Sequence, residues 1–124
     1  MNDCLSTSVT ICAPPDVAAM RAWYVQTFGA VPGTRSGMQA ADLPGVNLTF
    51  NPAPDAVAPT RGRALDHIGF EVKNLEAFCK QLEAGGLKLD RGYTKVPALG
   101  IAVAFLTDPW GSYIELTEGL PVPR

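Results

Sequence analysis

The stretch LDHIGFEV (residues 65–72) alternates apolar and polar residues, and a second alternating stretch, GSYIELT, occupies residues 111–117. Successive side chains of a β-strand point to opposite faces, so each stretch predicts a strand with one apolar face. His67, the only histidine of the chain, and Glu115 then lie on the faces opposite the apolar rows. A neutral imidazole and a carboxylate brought together on neighbouring strands would suit a divalent metal ion.

Working outward from these strands, one order of elements occurs twice. Residues 16–28 have the apolar spacing of an amphipathic helix, with Asp16 as a good N-cap and Gly29 as a stop. Residues 74–84 repeat this arrangement, with Asn74 at the start and a glycine pair at the end. A strand-like stretch precedes each helix and short extended segments follow it. The pattern predicts an α+β fold of tandem βαβββ modules.

The boundaries of the two modules follow from a proline-rich stretch between them. Residues 52–63 contain three prolines, which remove backbone donors and disfavour regular structure, so they read as a linker. Module one is then residues 5–51 and module two residues 64–120, within a single domain of residues 1–124. The expected form is a curled mixed sheet around a cavity.

Composition and charge exclude several classes of partner. The chain has 124 residues, a net charge of −2 and a hydrophobic fraction of 47%, which are ordinary values for a globular domain. Nothing here favours nucleic acid or an anionic membrane, and no apolar run is long enough to span a bilayer. The three cysteines lack Cys-x-x-Cys spacing, so we expect reduced thiols and a cytoplasmic location.

Residues 65–75 together with residues 104–116 resemble the vicinal oxygen chelate superfamily, the group of glyoxalases, bleomycin-resistance proteins and extradiol dioxygenases. The specific part is the turn Asp108-Pro109-Trp110-Gly111 leading into a strand that carries Ile-Glu-Leu. The resemblance implies modules whose first and last strands lie side by side. It also implies a cavity with a divalent metal (Zn, Ni, Mn or Fe) held by His67 and Glu115.

The first module lacks the matching ligands. Counting back from the helix caps places Val9 where module two has His67, and aligning the last strands places Thr49 where it has Glu115. We therefore expect a weak or vacant metal site. The predicted substrate-binding residues are those expected to face the cavity: Val9, Ile11, Asn47, Thr49 and Tyr113.

Two functions of different classes fit this pattern. The first is a metal-dependent, glyoxalase-like lyase or isomerase with an incomplete ligand set, in which Glu115 is the catalytic carboxylate and the metal polarises a substrate oxygen. The alternative is a metal-free protein that binds and sequesters a small molecule or antibiotic, as in the bleomycin-resistance branch. Metal titration separates the two.

We also predict a homodimer, because each small module leaves sheet area to cover and members of this superfamily pair modules around two-fold axes. Light scattering at micromolar concentration checks this prediction. A particle with the mass of one chain would contradict it.

Overall fold

The computed structural model describes residues 7–13, 16–53 and 58–121, without the side chains of residues 7, 8, 12 and 13. The chain forms two compact units, Met1–Val57 and Ala58–Arg124. The elements of the first are β1 (Thr7–Ala13), α1 (Val17–Phe28), β2 (Val31–Arg35), β3 (Met38–Leu43) and β4 (Val46–Pro52). Those of the second are β5 (His67–Glu71), α2 (Leu75–Ala84), β6 (Arg91–Val96), β7 (Ile101–Thr107) and β8 (Tyr113–Glu118).

The first unit is a four-stranded mixed sheet with the strand order β1-β4-β3-β2. Strands β1 and β4 are parallel, and the other pairs are antiparallel. Helix α1 covers one face, where Tyr24 contacts the Phe50 ring at a centroid distance of 5.6 Å. The Asp16 side chain caps this helix, since its Oδ1 accepts from the Ala19 amide at 3.0 Å. Gly29 ends the helix in the left-handed conformation.

The second unit repeats this topology, with the strand order β5-β8-β7-β6 and a parallel β5–β8 pair. Helix α2 covers one face of its sheet and buries Leu75, Cys79 and Leu82. Apolar side chains of β7 and β8 that share one face are fully buried, namely Ala104, Leu106, Ile114 and Leu116. We call the other side of this sheet, which α2 does not cover, the helix-free face.

The start of α2 is stabilised differently from the start of α1. Asn74 occupies the N-cap position as predicted, but it has a φ of 53° and its side chain makes no capping hydrogen bond. The carboxylate of Glu118 on β8 instead accepts from the Leu75 amide at 3.3 Å. An anion at a helix N-terminus satisfies an orphan donor and complements the helix dipole.

The predicted α+β fold of tandem βαβββ modules is confirmed. The connection between the units is shorter than the predicted linker 52–63. Strand β4 includes Pro52, and the Thr60 amide donates to the Gly111 carbonyl of the second unit at 3.0 Å. Within the described ranges, neither helix is long and apolar enough to cross a membrane.

We predict that Leu116→Ala lowers the free energy of unfolding by about 2–5 kcal/mol, because it empties a fully buried position. Leu116 is 0% exposed. Leu99→Ala is the matched control, since Leu99 is 69% exposed and the change should cost about 0.5 kcal/mol or less. Urea denaturation of both variants checks this, and equal midpoints would contradict it.

Candidate functional site

The parallel pairing of β5 and β8 brings His67 and Glu115 together on the helix-free face. In the register of this pair His67 lies opposite Tyr113, and Gly69 lies opposite Glu115. The two candidate residues are therefore diagonal neighbours and not directly opposite each other. Gly69 has no side chain to separate them, and the His67 Nε2 lies 2.9 Å from the Glu115 Oε2.

The other ring nitrogen of His67 also has a carboxylate partner. Its Nδ1 lies 2.9 Å from the Oδ1 of Asp66. The second oxygen of Asp66 accepts from the Gly62 amide. This amide and, to a lesser extent, His67 hold the pKa of Asp66 below its usual range. Because a carboxylate can only accept, the Nδ1 of His67 carries the proton of this hydrogen bond.

Glu115 is the more enclosed partner of the pair. Its side chain is 24% exposed, compared with 41% for His67. The Thr117 hydroxyl donates to its Oε1 over a long distance of 3.5 Å. Both carboxylate oxygens therefore have a polar neighbour on the same sheet, and the pair stays accessible to a small molecule.

An aromatic pair lies beside His67. The rings of Phe105 and Tyr113 stack at a centroid distance of 5.3 Å and an interplanar angle of 18°. The imidazole is nearly perpendicular to both rings, at 6.5 Å from Phe105 and 6.3 Å from Tyr113. Sequence reasoning missed Phe105 as a site residue. It pairs with Glu115 across the β7–β8 hairpin, so counting outward from the Asp108–Gly111 turn could have found it.

Arg61 extends this cluster beyond the sheet. Its guanidinium lies 4.7 Å from the centroid of the Tyr113 ring, within the range of a cation–π contact. Thr60 positions it, because the Thr60 hydroxyl accepts from the Tyr113 amide at 2.8 Å. A turn then follows, in which the Arg63 amide donates to the Thr60 carbonyl at 3.0 Å.

A glycine allows the segment before Arg61 to approach the start of β8. Gly111 has a φ of 92°, and a β-carbon added there would lie 3.0 Å from the Cα of Pro59. The preceding turn is held by Asp108, whose Oδ1 accepts from the amides of Trp110 at 2.9 Å and Ser112 at 2.8 Å. The motif at 108–111 thus places Arg61 as well as β8.

In the first unit the structure corrects the predicted equivalents. Val9 pairs with Leu48 and Ile11 pairs with Phe50, so both lie on the face of the sheet that α1 covers. The prediction that Val9 and Ile11 share a face with Thr49 is wrong. Ser8, which pairs with Asn47, holds the backbone position that corresponds to His67. Ser8 lies eight residues before the helix cap Asp16, whereas His67 lies seven before Asn74, so counting back from the caps is off by one.

Asn47 and Thr49 do lie on the face of the first sheet that α1 leaves uncovered. The Thr49 hydroxyl contacts the hydroxyl of Thr10 at 3.1 Å. Thr49 is buried, and this contact occupies its side chain. The residues at these two positions offer a neutral amide and a neutral hydroxyl, which are weak ligands for a transition metal.

The residues present do not form a complete site for a divalent metal. Catalytic zinc sites use three protein ligands and keep one position open. In the described part of the chain, no group of three or more His, Cys, Asp or Glu side chains is arranged to hold a metal ion. His67 and Glu115 supply two ligand atoms, and these already lie 2.9 Å from each other.

A separate groove of about 300 Å³ lies near the end of β8 and is lined by Tyr93, Lys95, Ile101 and Glu118, among others. None of the predicted site residues lines it. This groove shares no lining residue with the His67–Glu115 cluster, and its Glu118 accepts from the Leu75 amide at the start of α2.

Comparison with known proteins agrees with the topology. The family model described as the Glyoxalase/Bleomycin resistance protein/Dioxygenase superfamily matches residues 9–116. No curated protein matches the chain.

Solved structures of similar fold are related only distantly in sequence. A putative glyoxalase family protein from Bacillus anthracis is 18% identical with a TM-score of 0.75, over 93% of this chain and 94% of that one. TioX from Micromonospora sp. ML1 is 18% identical with a TM-score of 0.74, over 93% and 98%. Lactoylglutathione lyase from Agrobacterium tumefaciens is 17% identical with a TM-score of 0.69, over 91% and 92%.

We predict that Gly111→Ala destabilises the protein more than Gly100→Ala does. Both glycines have positive φ, which costs a non-glycine residue about 1–2 kcal/mol. Only at Gly111 would the added β-carbon also press on Pro59, whereas nothing lies within 4 Å of it at Gly100. Urea denaturation of the two variants checks the difference. Equal losses in the free energy of unfolding would contradict a destabilising clash between the added β-carbon and Pro59.

Proposed function

This chain belongs to the glyoxalase/bleomycin resistance protein/dioxygenase superfamily, and from that premise we propose that it binds a small organic molecule on the helix-free face of its second unit. The proposed site is the cluster of Arg61, His67, Phe105, Tyr113 and Glu115. Binding there does not depend on a divalent metal ion. The function is thus closer to the sequestering branch of the superfamily than to its metal-dependent lyases.

One observation carries this proposal, namely that the protein itself engages both nitrogens of His67. The Nδ1 is 2.9 Å from Asp66 and the Nε2 is 2.9 Å from Glu115. A metal would need the lone pair of Nε2, and so would have to break the contact with Glu115. With only two protein ligands, little metal affinity is available to offset that loss.

The surroundings of the pair suit a small molecule. Phe105, Tyr113 and the imidazole present flat surfaces in two nearly perpendicular orientations. Binding sites for small molecules combine such apolar and aromatic surface with a few placed polar groups. The partly exposed His67 and Glu115 side chains supply polar groups here.

A second candidate is metal-free proton transfer with Glu115 as the general base. The observation in its favour is the chain of Asp66, His67 and Glu115, in which a proton accepted by Glu115 could be shared with the imidazole. Solvent deuterium incorporated into a bound ligand, and lost in Glu115→Gln, would favour catalysis over simple binding.

The metal-dependent lyase or isomerase remains the competing function. It assigns His67 and Glu115 as ligands and would require at least one further donor. The homodimer and the cytoplasmic location remain predictions.

We expect calorimetric titration with Zn²⁺, Ni²⁺, Mn²⁺ or Fe²⁺ to show no binding in the micromolar range, because the described residues supply two candidate ligands that already contact each other. Two variants complete the test: His67→Ala removes a candidate ligand, and Glu71→Gln is its matched control. Glu71 is an exposed acidic residue on the same strand face, two positions beyond Gly69. Micromolar binding that survives in Glu71→Gln and disappears in His67→Ala would contradict the proposal and favour the metal-dependent enzyme.

A further inference from the structure

We infer that the ligand of this site is a planar aromatic carboxylate, whose ring packs against Phe105 and whose carboxylate binds the guanidinium of Arg61. This inference rests on the proposed function and specifies its ligand class. It follows from asking which hydrogen-bonding groups of the cluster already have partners.

The acidic groups in and beside the cluster, Glu115 and Asp66, are already engaged. Asp66 accepts from Gly62 through one oxygen and contacts His67 through the other. Glu115 contacts His67 at 2.9 Å and accepts from Thr117 at 3.5 Å. A cationic ligand would have to displace one of these internal contacts, and it would also meet the positive charge of Arg61.

Arg61 is the group of the cluster whose hydrogen-bonding capacity is left for a ligand. A guanidinium carries five N–H donors and pairs with carboxylates through two parallel hydrogen bonds. Among the described residues, Arg61 has no carboxylate within ion-pair distance. Its guanidinium lies over the Tyr113 ring, and its charge acts on Asp66 only at longer range. Stacking on an aromatic ring leaves the edge of the guanidinium, where its N–H groups point, available to an acceptor.

The position of Arg61 is set before a ligand arrives. The amide of its neighbour Thr60 donates to the Gly111 carbonyl in the turn before β8 at 3.0 Å, and the Thr60 hydroxyl accepts from the Tyr113 amide of β8 at 2.8 Å. The turn that follows is closed by the Arg63 amide and by the contact between Gly62 and Asp66. A preorganised group loses less conformational freedom on binding, which favours affinity.

The aromatic part of the ligand follows from the ring geometry. Tyr113 is 8% exposed, because Phe105 and Arg61 both lie against it. Phe105 is half-buried and presents the remaining accessible ring surface. Aromatic rings pair in offset-stacked or edge-to-face arrangements, and His67 adds an edge-on neighbour. A flat ring with an acidic substituent therefore matches both the apolar surface and the guanidinium.

Three matched probes test this inference: 2-naphthoate, the neutral 2-naphthamide and the cationic 2-naphthylmethylamine. Each is titrated, with EDTA present, into the full-length ¹⁵N-labelled protein while amide resonances of β5 and β8 are followed. We expect 2-naphthoate to bind at least tenfold more tightly than the other two. Arg61→Gln should remove this preference, and Arg63→Gln, which changes a neighbouring exposed arginine, should retain it. Phe105→Leu should weaken all three probes.

The outcomes separate this inference from the function on which it rests. If the neutral or cationic probe binds these strands as well as 2-naphthoate does, the inference is overturned and small-molecule binding stands. An unchanged preference in Arg61→Gln also overturns it. If no probe shifts the resonances of β5 and β8, the inference fails together with the proposed site.

Discussion

The parallel pairing of the first and last strands in each unit is the constraint on which the rest of the structure depends. It places β5 beside β8 although a helix and two strands separate them in the chain. Its register sets Gly69 opposite Glu115, and the missing side chain lets His67 reach the carboxylate along the diagonal. Every proposed role of this pair derives from that single alignment of two strands.

The same pairing has different chemical results in the two units. In the second it joins an imidazole to a carboxylate and adds a stacked aromatic pair beside them. In the first it joins the hydroxyls of Thr10 and Thr49 at 3.1 Å. The polar side chains of the two units therefore differ. In the second unit the candidate metal ligands His67 and Glu115, together with Asp66, already contact one another. Because these side chains already have partners within the protein, we favour the binding of an organic ligand over metal chemistry.

Local signals made most of the fold predictable. Helix periodicity, the Asp16 cap and the glycine stops depend on neighbours a few residues away, and the turn at 108–111 depends on its own four residues. The predicted faces of Val9 and Ile11 were wrong because they relied on counting from a helix cap. Ser8 lies one residue farther from its helix cap than His67 does, and a shift of one residue moves a strand residue to the other face.

The sequence by itself determined the α+β class, the duplication and the residue types of the pair, His67 and Glu115. Alternation and capping act over short distances, so a reader of the chain can recognise them. Only the tertiary structure decided that Asp66 binds the second imidazole nitrogen, that Phe105 stacks on Tyr113 and that Arg61 lies over the same ring. The ring and guanidinium contacts arise from the β7–β8 register and from the approach of Pro59 to Gly111, and the Asp66 contact depends on side-chain orientations that alternation does not specify.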